Sequence, residues 1–285
     1  MSVISIQELL EAGVHFGHQK RKRNPKMIPF IFEERKGIHI IDLQKTQRYL
    51  DYATQYARLV AQKGGKILFV CTKLQSKAIV SDLAKSCEMP YVCERWLGGT
   101  LTNLRTIRQS VRRMNEIEDL QKKGLFEKLP KKEQAVMTRE YAKFDKNLCG
   151  VRELEEVPAA IYIVDVNKER IAVTEAKKLD IPVIALCDTN GNPDNADFVI
   201  PGNDDTISSV TLITTTLAKA INEGRVYYEE TEKQRKEREL IEKEQEKASK
   251  PRAEKPRRAP RAEKEAPKEA PKEAAPEAPQ EAPKE

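Results

Sequence analysis

The sequence predicts an α/β fold, a three-layer α/β/α sandwich on a parallel sheet, interrupted by an antiparallel helical hairpin and followed by a disordered tail. Three observations carry this reading. Five short β-rich runs, Ile67–Cys71, Tyr91–Cys93, Ile161–Val166, Val183–Cys187 and Phe198–Ile200, are apolar throughout, as strands covered on both faces must be. Helical segments follow most of them, and strand–helix alternation makes a sheet parallel. From Asn103 to Leu148 the strand signal vanishes and apolar residues recur at three- and four-residue steps.

Taken in order, Ser5-Ile6-Gln7-Glu8 is a capping box that opens a short helix running to Gly13. After a basic loop, Ile28–Phe32 and Gly37–Ile41 read as two short strands around the charged turn Glu33–Lys36. Leu43, Leu50, Ala53, Ala57 and Val60 form a helical stripe closed by Gly64-Gly65. Within the interruption, Leu104, Ile107, Val111, Met114, Ile117 and Leu120 line one arm. Pro130 opens a second arm through Met137, Tyr141, Phe144 and Leu148, giving a hairpin of coiled-coil type that projects from the sheet domain. The last helix starts near Asp204-Asp205 and ends at Gly224. The expected organisation is thus 1–102 with 149–228 as a globular domain, 103–148 as the inserted hairpin and 229–285 as an extension. Residues 229–249, almost pure Glu, Lys, Arg and Gln, suit a solvated helix. From Lys250 onward Ala, Pro, Glu and Lys offer too little apolar surface to offset chain entropy.

Composition narrows the function classes. The chain has 285 residues, with 51 Lys and Arg against 45 Asp and Glu, a net charge of +6. The charge is uneven: residues 1–150 carry +12, residues 151–228 carry −6, and the remainder is balanced. A strongly basic half fits one face meeting a polyanion, either nucleic acid or a membrane surface. No apolar run approaches the ~20 residues of a membrane span, and the opening residues lack the pattern of a secretory signal. Five cysteines without a Cys-x-x-Cys pair read as reduced thiols in a reducing compartment.

Signatures of catalysis are missing. There is no Gly-x-Gly-x-x-Gly after a strand, no phosphate loop and no nucleophile elbow. Asp165, Asp188 and Asp204/Asp205 follow predicted strands at the carboxyl edge, where α/β proteins bind ligands and where carboxylates can hold a hard cation. The plainer reading makes them helix caps and turn formers. His15 and His18 match no closed metal pattern with Cys87 and Cys93, and read as loop residues. No cofactor is expected.

The basic features are stronger. Lys20-Arg21-Lys22-Arg23-Asn24-Pro25-Lys26 places five cations in seven residues, anchored on both sides by apolar stretches. Arg95-Trp96-Leu97-Gly98-Gly99-Thr100-Leu101-Thr102-Asn103 leads from a strand into the hairpin. In it Gly98 and Gly99 allow backbone N–H groups to approach a phosphate, Thr100 and Asn103 offer donors, and Arg95 supplies charge. Trp96 either stacks on a base or anchors the loop in the core. Arg105, Arg108 and Arg112 share one face of the first arm, flanked by Arg113, with no acid before Glu116. Such a row suits structured RNA, which proteins recognise largely by shape and phosphate position.

These stretches resemble the bacterial form of the small-subunit ribosomal protein S-two family. The likeness lies in Leu10–His18, Asn24–Met27, Arg95–Asn103, Asp188–Asn190 and Phe198–Asp205, in the family's order and spanning about residues 1–226. The resemblance implies a flavodoxin-like sheet with a helical hairpin insertion, docked on the 16S rRNA between head and body of the small subunit. It also implies a role in holding the mRNA-binding protein S-one, neighbouring subunit proteins as partners, no membrane, no homo-oligomer and no catalysis. The stretch Lys20–Arg23 is more basic than the family pattern, and the resemblance assigns no role to the extension after Glu229. Two other classes stay open on the residues alone: an enzyme or cation binder using the carboxyl-edge aspartates, and a scaffold whose hairpin seam is intermolecular.

Overall fold

The computed structural model of the chain describes residues 4–249, so the tail from Lys250 expected to be disordered lies outside the described residues. The described residues up to Glu237 form one compact unit. Helix α1 (Ile6–Glu11) begins at the predicted capping box, with Glu8 N–H donating to Ser5 Oγ and Ser5 N–H to Glu8 Oε2 at 2.8 Å. Strands β1 (Phe16–Gln19), β2 (Ile31–Arg35) and β3 (Ile38–Ile41) follow, then α2 (Leu43–Gln62), whose first amides donate to the Asp42 carboxylate. Next come β4 (Ile67–Val70), α3 (Lys77–Ser86) and β5 (Tyr91–Val92). The hairpin arms are α4 (Leu104–Lys122) and α5 (Lys131–Leu148). The chain then alternates β6 (Ala160–Val164), α6 (Arg170–Lys178), β7 (Val183–Cys187), β8 (Phe198–Pro201) and α7 (Ile207–Ser249).

All five predicted strands are present and pair in parallel, in the order β5-β4-β6-β7-β8. Counted within this sheet the order is 2-1-3-4-5, that of flavodoxin-like folds. Side chains alternate across each strand. Ile67, Phe69, Tyr162 and Leu186 pack with α1, α2, α3 and α7 on one face, while Leu68, Val70, Ile163 and Ala185 pack with α4 and α6 on the other. Both faces are covered, which is why these runs lack polar residues.

Three features depart from the sequence expectations. A second, antiparallel sheet, β1-β3-β2, includes a strand at Phe16–Gln19 that the sequence did not announce, and Pro25–Phe30 is a 3-10 segment, so β2 starts at Ile31 rather than Ile28. The hairpin's base belongs to the core: Ile107, Val111 and Met114 share a buried cluster with Leu68, Val70 and Trp96. Its seam is uneven, because α4 buries Ile107, Val111, Met114 and Ile117 whereas α5 fully buries only Leu148. Helix α7 does not stop at Gly224 but continues to Ser249, absorbing the helix expected over 229–249. Gly224 is needed for close packing there, since a Cβ would lie 2.5 Å from the Arg58 carbonyl oxygen on α2.

Candidate nucleic-acid interface

The basic run forms a short turn, Lys20–Lys22, between β1 and the 3-10 segment. Two tethers hold it against the carboxyl edge of the large sheet: His18 N–H donates to Thr189 Oγ1 at 2.9 Å, and Asn24 N–H to the Thr189 carbonyl at 2.9 Å. Gly17 permits this approach, because a Cβ there would collide with the Thr189 methyl at 2.6 Å. The run is therefore fixed at both ends, as its apolar flanks predicted, with its five cations exposed. Lys20 pairs with Glu34 and Lys26 with Asp194, whereas Arg21, Lys22 and Arg23 have no ion-pair partner among the described residues.

The loop from Arg95 to Asn103 is built differently from the phosphate cradle its glycines suggested. Its donors converge on Glu175 of α6. The Gly99 N–H and the Trp96 indole N–H donate to Oε1 at 2.7 and 3.1 Å, while the Leu101 and Thr102 N–H groups and the Thr102 hydroxyl reach Oε2 at 3.0 to 3.2 Å. Burial would raise the Glu175 pKa, but these hydrogen bonds bring it below its ordinary value. The Gly99 amide is therefore occupied internally. Thr100 is buried and donates its hydroxyl to the Leu97 carbonyl at 2.6 Å. Trp96 is 7% exposed and packs in the core, resolving its two readings toward the anchor. Asn103 is exposed, its Oδ1 accepting from the Thr106 hydroxyl at 2.9 Å. Arg95 and Gly98 stay at the surface.

Beyond this loop, Arg105, Arg108 and Arg112 line one shallow surface depression with Gln109 and Glu155, and none has an ion-pair partner among the described residues. Arg113, one residue further round, is neutralised by Glu116 at 3.3 Å and Glu140 at 3.7 Å. The unpaired face thus comprises Arg105, Arg108 and Arg112, the three residues the spacing placed together, with Arg113 paired at its flank.

At the carboxyl edge the predicted aspartates do converge, but around cations of the protein itself. Lys73, 8% exposed, lies 3.2 Å from Asp165, 2.7 Å from Asp204 and 2.6 Å from Asp205. Burial would lower the Lys73 pKa, yet the facing carboxylates raise it above its ordinary value. Burial pushes the Asp204 carboxyl up to about 7, with Asp188 adding to the shift and Lys73 opposing it. His18 Nδ1 is 2.8 Å from Asp188 Oδ2, and that hydrogen bond raises the histidine's pKa despite its partial burial. The turn role holds for Asp188, whose carbonyl accepts from Gly191 N–H, and for Asp165, whose side chain accepts from the Asn167 and Lys168 N–H groups. It fails for Asp204, since Asn203 instead accepts from the Asp205 and Thr206 N–H groups ahead of α7. The ligand atoms of His18, Asp188 and Asp204 lie within 4.8 Å of one another, a donor set that could hold a divalent cation. His18, read from the sequence as a loop residue, lies instead in β1 and joins this cluster through Asp188, while Lys73 had no motif to announce it.

The described residues contain no helix long and apolar enough to cross a membrane. The model of the ribosomal protein S2 family matches residues 9–224. The small ribosomal subunit protein uS2 of Salinibacter ruber is 52% identical over 221 residues, covering 78% of this chain and 69% of that protein. The fold expected from the resemblance is thus joined by direct kinship over the same residues. The chain belongs to the ribosomal protein S2 family, and so is a structural constituent of the small subunit of the cytoplasmic ribosome, serving translation, and not an enzyme.

Proposed function

We propose that the chain is anchored on 16S rRNA by two cationic surfaces on one rigid frame. Lys20, Arg21, Lys22, Arg23 and Lys26 form the first, and Arg95, Arg105, Arg108 and Arg112 the second. One observation carries the reading: Arg105, Arg108 and Arg112 share a face and form no ion pair among the described residues, although Glu155 borders the same depression, while neighbouring Arg113 has two. Exposed cations on a helix are usually offset by acids three or four residues away, and leaving a row unpaired suits a surface whose counter-charge is a phosphate backbone. In this reading 103–148 acts as an RNA-reaching insert, 1–102 with 149–228 as the body, and 229–285 as a solvated extension.

Filter binding of the full chain to 16S rRNA between low and moderate salt tests this. With ~6 phosphates neutralised, the log–log slope is about −4 to −5. An affinity independent of salt would refute the reading.

The same reading has the chain help dock the mRNA-binding protein S-one, for which the family resemblance is the support. Small subunits reconstituted without this chain should then retain S-one poorly, and recover it when the chain is added back. Equal retention in both would remove this part.

A further inference from the structure

The loop between β5 and α4 closes around an anion supplied by the protein. Five donors meet the two oxygens of Glu175, three of them backbone amides within four residues, Gly99, Leu101 and Thr102. The residue is 7% exposed, and no lysine or arginine forms an ion pair with it among the described residues. A buried carboxylate is costly unless it is well hydrogen-bonded, and here neutral dipoles alone compensate it. A carboxylate is also the side chain the geometry requires. Each oxygen accepts from at least two donors, so a glutamine would turn its NH2 group toward N–H groups at one of the two positions.

What the loop controls lies just beyond it. Asn103 N–H donates to the Gly99 carbonyl at 2.8 Å, and the Thr106 and Ile107 N–H groups donate back to the Asn103 carbonyl, so α4 springs directly from the closed loop. Asn103 gives α4 no side-chain cap. The start of the helix is instead set by the loop, and Arg105 lies only three residues after Thr102, the last residue bound to Glu175. The rotation of α4 that buries Ile107, Val111 and Met114 is the one that turns Arg105, Arg108 and Arg112 outward.

We infer that Glu175 is a positioning residue for RNA binding: an internal anion that closes the loop and holds the row Arg105, Arg108 and Arg112 in a ready-made arrangement. The inference rests on the RNA reading above and names the part that presents its cations. Electrostatics alone predicts the opposite result when the charge is removed, because a protein that loses a negative charge should bind RNA more tightly.

The experiment compares the full chain with its Glu175→Gln variant in filter binding to 16S rRNA across salt, alongside hydrogen exchange and thermal melting. The expected result is affinity lowered tenfold or more with the salt slope unchanged, since the same phosphates are met once the loop is ordered. Protection of the Gly99, Leu101 and Thr102 amides should fall at the same time. Affinity equal to or above that of the parent, in a folded variant, overturns the inference. Should Glu175→Gln fail to fold, the pair Thr102→Val and Thr102→Ser decides. Valine removes one hydroxyl donor and should weaken binding about threefold while serine matches the parent, and equal binding by both refutes the role. If the parent chain shows no salt-dependent binding, the RNA reading fails and this inference with it. If only the Glu175 variant binds as well as the parent, the positioning role alone is lost.

Discussion

The Lys73 ammonium lies 2.7 Å from Asp204 Oδ1, at the centre of a carboxylate cluster at the carboxyl edge of the sheet. In an α/β enzyme this edge would open to a ligand. Here a lysine of the loop after β4 occupies it, and its contacts with Asp165, Asp204 and Asp205 join the ends of β4, β6 and β8. Removing one partner of a buried ion pair leaves the other charge uncompensated. Lys73→Met should therefore destabilise the fold by about 3–5 kcal/mol. Urea denaturation measures this, and a loss below about 1 kcal/mol would show that the aspartates do not depend on Lys73.

Gly224 gives a prediction whose sign is unusual. Inside a helix, Gly→Ala normally gains about 1 kcal/mol. At Gly224 the added methyl would meet the Arg58 carbonyl and the Ala61 side chain, so α2 and α7 must separate. Overpacking of this kind costs about 1–3 kcal/mol. Gly224→Ala should lower the melting temperature. A rise would mean that the two helices have room to spare.

The Glu175 carboxyl supplies a pH dependence. Its folded-state pKa lies below the ordinary value, because the hydrogen bonds from the loop outweigh burial. The stability it contributes is then complete above the unfolded pKa of about 4.3 and lost as the pH falls through the lower folded-state value. Thermal melts from pH 6 down to pH 3 should show the parent losing stability more steeply than Glu175→Gln at the acid end. Parallel curves would show that the carboxylate is not specially stabilised.

Trp96 is the single tryptophan, buried with its indole N–H on Glu175. Because the ring packs in the core, saturating 16S rRNA should leave its emission almost unchanged. Strong quenching on binding would place a nucleobase against the ring.

The large sheet was legible because each of its strands is shielded on both sides, which forces apolar runs such as Ile67–Val70 and Val183–Cys187. Strand β1 was not, since Phe-Gly-His-Gln carries no β signature and is a strand only through pairing of Phe16 with Ile40 and Gln19 with Ile38. Gly224 read as a helix end because local sequence cannot separate a glycine that stops a helix from one that lets another helix approach. The glycine loop announced that amides would gather round an anion. Whose anion it was could not be read locally, because Glu175 lies more than seventy residues further along the chain. The unpaired arginine row was visible in the spacing, whereas the neutralisation of Arg113 depends partly on Glu140 across the hairpin.

Charge at fixed positions is the centre of the account, and assembly tests it most directly. Small subunits are reconstituted from purified components with the full chain carrying Arg21→Glu, Arg23→Glu, Arg105→Glu, Arg108→Glu and Arg112→Glu, and its incorporation is measured by sedimentation. The account predicts that the folded variant is left out of the subunit, whereas incorporation at the level of the parent chain would contradict it.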